Sequence, residues 1–192
     1  KDLVGKPAPD FKGESPFGKP VSLSAFRGKV PTVLTFWSIY CATCVEEMAG
    51  LQRLYGKYGP GGVAVVAVNE DADVGVGRVK AFLDRSAGSK DGKFTYDILF
   101  DGKGDVLRAY GVSRLPTLFF IDREGTVREV VDALKDGIGT KFVGTSNVDL
   151  ARRQPGVRAA LALDPLLTMR GPFGVHLQML DAVVERIWRT GR

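Results

Sequence analysis

The stretch that decides the fold runs from residue 31 to residue 44 and reads PTVLTFWSIYCATC. Its first seven residues are almost all apolar or β-branched, a pattern typical of a strand buried on both faces. Its last four residues begin and end with the two cysteines of the chain, Cys41 and Cys44. The cysteine pair therefore follows a predicted central strand, where a helix is expected to begin.

This spacing suits a reversible disulfide at the start of a helix. The sulfur of Cys41 would lie at the positive end of the helix dipole, near free backbone N–H groups that stabilise a thiolate. Cys44 would lie one turn further on and close a small ring. The spacing alone also fits a metal site, but its position after a strand favours redox chemistry. With His176 as the one histidine, the chain falls short of the four ligands zinc usually takes, and we predict no metal site.

Periodicity along the rest of the chain predicts alternating strands and helices. Helical spacing continues from the cysteines to about Tyr58, and residues 63–68 form a second buried strand. Thr117–Ile121 forms a third strand, with Thr126–Ala133 as its hairpin partner. An apolar stripe predicts a final helix at about 174–190. This order predicts an α/β fold with a central mixed sheet.

Composition indicates one globular domain. We assign residues 1–192 to it, with a core at about 20–134 plus the final helix, and leave about 137–173 unassigned. The net charge is +5, but the arginines of the C-terminal part are spread among apolar residues. Nucleic-acid binding would need them clustered or interleaved with aromatic residues, so no nucleic-acid partner is expected. No apolar stretch approaches the roughly 18–20 residues of a membrane span, and residues 1–7 do not resemble a secretory signal.

Several spaced motifs, taken together, resemble one family. They are GKPAPDF at 5–11, LSAFRGK at 23–29, FWSIYCATC at 36–44, VAVN at 66–69 and AYGVSRLPTLFFIDREG at 109–125. In order and spacing they resemble the TlpA/ResA-like branch of the thioredoxin fold, over about residues 3–134 and the last helix. The resemblance implies a thioredoxin-like three-layer sandwich with a central mixed β-sheet, an N-terminal extension and an extra C-terminal insertion.

The resemblance also implies a function. Members of this branch are extracytoplasmic thiol–disulfide oxidoreductases, often membrane-tethered, that reduce disulfides of partner proteins such as apocytochromes c. Such a protein needs no cofactor and receives electrons from a membrane donor of the CcdA/DsbD type. We therefore expect disulfide-containing or dithiol partner proteins, a location outside the cytoplasm, and a possible tether outside this sequence.

Three residues are expected to carry the chemistry. Cys41 is the predicted nucleophile, and Cys44 is predicted to resolve the mixed disulfide that forms. An acid beside Cys44 would help to move its proton, and members of the branch often use a Glu after the second strand. Glu70 and Asp71, which follow Asn69, are the candidates, with Asp73 behind them, and we select Glu70 as the catalytic residue. Glu46 and Glu47 are interpreted instead as partners of the helix dipole.

Four further residues are expected to contact the substrate. By the resemblance, Pro116 is cis and presents the backbone of Leu115 to an extended partner segment. Trp37 and Tyr40 are expected to form the wall of the site, and packing in the core stays open as the alternative for Trp37.

The chain also departs from the family pattern. Tyr40 replaces the usual Trp before the first cysteine, Ala42-Thr43 lacks the common proline, and Thr35 stands where thioredoxin carries a buried Asp. Two alternatives stay open. One is a peroxiredoxin-like thiol peroxidase, because residues 8–11 also occur in that class. The other is a copper-binding chaperone on the same fold.

Overall fold

The computed structural model describes residues 2–86, 94–132, 181–187 and 189. In chain order its elements are β1 (Lys12–Glu14), β2 (Pro20–Ser22), a 3-10 turn (Leu23–Ala25), β3 (Thr32–Trp37), α1 (Ala42–Tyr58), β4 (Ala64–Asn69), α2 (Val76–Ser86), β5 (Asp97–Phe100), α3 (Asp105–Tyr110), β6 (Thr117–Ile121) and β7 (Val127–Asp132). Residues 181–187 form a further helix, α4. Within the described ranges, no helix has the length and apolar character needed to span a membrane.

A five-stranded mixed sheet lies at the centre, in the order β5-β4-β3-β6-β7. Strands β3, β4 and β5 are parallel, while β6 pairs antiparallel with both β3 and β7. Every residue of β3, β4 and β6 is buried, because helices or the N-terminal segment cover both faces of the sheet. The predicted α/β sandwich with a mixed sheet is confirmed.

Side chains of the sheet divide between two core clusters. The cluster on the α1 side contains Trp37 and Leu51, and the cluster on the other side contains Phe36 and Tyr110. Neighbouring residues of β3 thus point in opposite directions, as the period of two along a strand requires. Helix α1 stops at Gly59, whose φ of 67° is readily adopted only without a side chain.

The N-terminal segment is more structured than its turns suggest. Strands β1 and β2 form an antiparallel hairpin, and Pro7 bridges to Thr126 beside β7. Leu3 and Phe11 are buried in the cluster on the Phe36 side, so residues before 20 also contribute to the core.

Helix α4 lies within the final helix predicted at about 174–190. Val183, Val184 and Ile187 are buried in the cluster on the α1 side. Lys57 of α1 forms a salt bridge with Asp181 at 2.8 Å. Residues 174–180 and the unassigned region at about 137–173 lie outside the described residues, and the domain division stays a prediction.

Candidate active site

The two cysteines are joined by a disulfide at the start of α1. Strand β3 ends at Trp37, and Cys41 has the extended backbone conformation of an N-cap residue. The amide of Cys44 donates a hydrogen bond to the Cys41 sulfur at 3.2 Å. The sulfur therefore occupies the place of a capping side chain, where the helix offers an otherwise unused N–H group.

Exposure distinguishes the two sulfurs. Cys41 is half-buried, whereas Cys44 is 1% exposed and packs in the core cluster on the α1 side. A partner protein can reach the first cysteine but not the second. This asymmetry supports Cys41 as the nucleophile and Cys44 as the resolving thiol.

The two aromatic residues expected to line the site differ in exposure. Tyr40 is 68% exposed beside Cys41 and is available to contact a partner. Trp37 is 0% exposed, and its ring packs against Phe82 of α2 with the centroids 5.9 Å apart. Trp37 therefore packs in the core, which was its open alternative, and the interpretation of it as a wall of the site is wrong.

The pairing of β6 with β3 places Leu115 and Pro116 beside the cysteine loop. Thr117 pairs with Phe36, so Pro116 comes next to the end of β3 where the cysteine loop begins. The Leu115–Pro116 peptide bond is cis, the isomer that the resemblance implies. Leu115 is half-buried and, like Cys41, packs against the core cluster on the α1 side.

A buried carboxylate holds the loop before Cys41. Asp71, which is 4% exposed, accepts hydrogen bonds from the Ser38 hydroxyl at 2.5 Å and the Ile39 amide at 2.8 Å. It accepts a third from the Asn69 side chain at 2.6 Å. Because β3 and β4 are parallel neighbours, the segments that follow them meet at one edge of the sheet. The sequence indicated Asp71 as a candidate for the acid beside Cys44, and the structure shows its carboxylate holding the loop instead.

Glu70 is half-buried directly after β4. Burial raises the pKa of its carboxyl, and the charges of Asp71 and Asp73 raise it further. Its amide donates to the Trp37 carbonyl at 3.1 Å, which places it beside the end of β3. Within the described residues, no hydrogen bond joins the Glu70 carboxyl to either sulfur, so its role as the acid stays a prediction.

The structure shows a second buried acid. Glu47 is 5% exposed, and the Thr35 hydroxyl donates a hydrogen bond to its Oε1 at 2.7 Å. Burial, and then the charge of Glu47, raises the pKa of the Tyr96 hydroxyl. The interpretation of Glu47 as a dipole partner misses this burial. The available signal was its place on the apolar stripe of α1, three residues after Cys44 and one before Met48.

A disulfide at the start of a helix that follows a buried strand, in a mixed five-stranded sheet, is typical of a thioredoxin-fold thiol–disulfide oxidoreductase. The chain belongs to the AhpC/TSA family, which matches residues 4–130. It is 38% identical over 128 residues to the thiol-disulfide oxidoreductase ResA of Geobacillus thermodenitrificans, covering 67% of this chain and 68% of that protein. It is 36% identical over 124 residues to ResA of Bacillus thuringiensis subsp. konkukian, covering 65% and 66%. The chain thus spans about two thirds of the length of these relatives.

The similarity extends to solved structures. A crystal structure from Chlorobium tepidum, described as a thiol:disulfide interchange protein DsbE, has 28% sequence identity to this chain and a TM-score of 0.61. That match covers 94% of this chain and 97% of the other. The expected membership of the ResA-like thiol–disulfide oxidoreductases is confirmed.

Proposed function

We propose that the chain is a protein-disulfide reductase that works outside the cytoplasm. The observation that carries the proposal is the contrast between the two sulfurs of the disulfide. Cys41 is accessible and accepts a hydrogen bond from the Cys44 amide at the N-terminus of α1, whereas Cys44 is buried behind it. A helix N-terminus stabilises a thiolate, so the accessible sulfur is also the one suited to attack.

The exchange needs two displacements. In the reduced protein, the Cys41 thiolate attacks one sulfur of a partner disulfide and displaces the other, which takes up a proton. Cys44 then loses its proton to a base and attacks the Cys41 sulfur, releasing the second sulfur of the partner. Two electrons pass to the partner, and the cysteines end as the disulfide found here. The same geometry serves the reverse reaction, and similarity to the ResA proteins supports the reductive direction.

The partner is proposed to be an extended segment of a disulfide-containing protein. Tyr40 provides an exposed aromatic surface. The backbone of Leu115, before the cis bond to Pro116, would pair with the partner segment as a strand. Similarity to ResA and DsbE supports apocytochrome c as one such partner, with a membrane donor of the CcdA/DsbD type restoring the dithiol. A tether outside this sequence would hold the protein near that donor.

Two acids are candidates for the base that takes the Cys44 proton. Glu70 has a carboxyl whose pKa is raised by burial, which favours exchange of a proton nearer neutral pH. Glu47 lies one helical turn after Cys44 and is buried in the same core. Substitution of each acid by glutamine separates the two candidates.

Reduction of insulin with dithiothreitol as electron source tests the proposal. We expect Cys41→Ser to abolish turnover, because it removes the nucleophile. We expect Cys44→Ser to lose turnover but to accumulate a mixed disulfide with a labelled disulfide peptide, detectable by mass spectrometry at Cys41.

Two results would contradict this mechanism: turnover by Cys41→Ser, or a trapped adduct that does not involve Cys41. Consumption of hydrogen peroxide without insulin reduction would support the thiol peroxidase alternative instead.

A further inference from the structure

Thr43, between the two cysteines, contacts the reactive sulfur. Its Oγ1 lies 3.4 Å from the Cys41 sulfur, within hydrogen-bond distance for sulfur. Both sulfurs are bonded to each other in this structure, so neither carries a proton. The hydroxyl of Thr43 must therefore be the donor and the Cys41 sulfur the acceptor.

This contact becomes stronger when the disulfide is reduced. A disulfide sulfur is a weak neutral acceptor, whereas a thiolate is charged, and hydrogen bonds to charged groups are roughly twice as strong as neutral ones. The Cys41 sulfur would then accept from two donors, the Thr43 hydroxyl and the Cys44 amide. The hydroxyl thus favours the reduced thiolate over both the protonated thiol and the disulfide.

The segments around the cysteine pair carry several acidic residues. Helix α1 carries the acids Glu46 and Glu47, and the segment after β4 carries Glu70, Asp71 and Asp73. Negative charge disfavours a nearby thiolate. On the segment before β6, Arg114 is exposed, and on the cysteine loop Tyr40 is the remaining titratable residue.

We propose that the Thr43 hydroxyl is a second hydrogen-bond donor to the Cys41 thiolate and sets both its reactivity and its redox equilibrium. The proposal rests on the proposed function, since it concerns the same exchange reaction. It gives the departure from the family dipeptide a chemical role: proline would lack a hydroxyl at this position. The two displacement steps of the exchange are unchanged, and Thr43 neither gains nor loses a proton in them.

Two variants test the proposal in the full chain. Thr43→Val keeps the β-branched shape without the hydroxyl, and Thr43→Ser keeps the hydroxyl. The first measurement is the rate of Cys41 alkylation by iodoacetamide against pH in the reduced protein, with the site identified by mass spectrometry. The second is the thiol–disulfide equilibrium with glutathione. It is measured at a pH above the alkylation midpoint of every variant, so that Cys41 is a thiolate in the reduced form of each protein.

We expect Thr43→Val to move the alkylation midpoint to higher pH and to shift the equilibrium toward the disulfide by about threefold to tenfold, the scale of one lost hydrogen bond. At 29.6 mV per tenfold change, this is a fall of about 15 to 30 mV in reduction potential. Thr43→Ser should stay within about twofold of the unsubstituted protein.

Several outcomes overturn the proposal. It fails if Thr43→Val leaves either quantity unchanged, or if Thr43→Ser shifts as far as Thr43→Val. If Thr43→Val changes only the midpoint of thermal unfolding, the role of Thr43 is structural and the proposal fails. If Thr43→Val does not fold, Thr43→Ala replaces it with the same expectation. Failure of the unsubstituted protein to exchange with glutathione would instead count against the proposed function, because alkylation needs no exchange.

Discussion

Both sides of the central sheet contain packed aromatic rings, but the α1 side also buries the carboxyl of Glu47. On one side, Phe36 of β3 packs with Tyr110 and Phe119, whose ring centroids lie 4.9 Å apart. On the other side, the adjacent residue Thr35 hydrogen-bonds the buried carboxyl of Glu47, one turn beyond Cys44. Burying the ionisable carboxyl of Glu47 costs free energy that packed rings do not cost. We therefore expect substitution of Phe36 to change mainly stability, and substitution of Glu47 to change mainly the exchange reaction.

The largest expected effect is on the Phe36 side of the sheet. Phe36→Ala removes a fully buried ring and its two aromatic contacts. We expect the free energy of unfolding in urea to fall by about 3–5 kcal/mol, the cost typical of a Phe→Ala cavity. Insulin reduction per folded molecule should stay within twofold. A tenfold loss of activity in the folded variant would show that the Phe36 side also contributes to the exchange reaction.

Asp71→Asn should have the next largest effect, because an amide offers one acceptor oxygen where the carboxylate offers two. One or more of the donors from Ser38, Ile39 and Asn69 then loses its partner. We expect a loss of about 1–3 kcal/mol in unfolding free energy and a several-fold fall in kcat/KM for insulin. The matched control is Asp73→Asn, an exposed neighbour that should change neither quantity. Equal effects of the two substitutions would show that charge, rather than the hydrogen bonds of Asp71, matters.

Glu47→Gln tests the buried acid beneath the disulfide. It keeps the shape and the bond from Thr35 but cannot take a proton. We expect decay of the mixed disulfide through Cys44 to slow about tenfold, measured by rapid quench, with alkylation of Cys41 little changed. Glu46→Gln, on the exposed face of α1, is the control. Unchanged decay in Glu47→Gln would leave Glu70 as the candidate base.

Glu70→Gln should have the smallest effect on stability, with a pH dependence of known sign. The folded pKa of this acid is raised, so between its unfolded and folded pKa values the folded state holds a proton that the unfolded state has released. Glu70 therefore costs stability as pH rises through that window, fully so above it. Urea unfolding should show Glu70→Gln more stable than the unsubstituted protein at neutral pH, by less than about 1 kcal/mol at this partly exposed site. The difference should vanish at acid pH. A difference of opposite sign would contradict the shift.

Much of the fold was predictable because its signals are local. Continuous apolar runs at residues 31–37, 63–68 and 117–121 correspond to β3, β4 and β6, which differ from them by one residue at most. The N-terminal hairpin was missed because β1 and β2 are three residues each and lack a clear alternating pattern. The exposure of Trp37 was predicted wrongly for a different reason. Its strand is evident from the local pattern, but the packing of α2 against that strand decides which residues are exposed.

The sequence by itself determined the position of the disulfide chemistry. A buried strand, a short loop and a helix start are encoded within residues 31–44, so Cys41 and Cys44 could be assigned from this stretch and its resemblance to the family. Only the tertiary structure decided what surrounds them. Asp71 meets Ser38 across 33 residues because parallel strands end at the same edge, and Glu47 meets Thr35 because α1 packs on one face of β3. Such contacts depend on how elements pack, which no local pattern specifies.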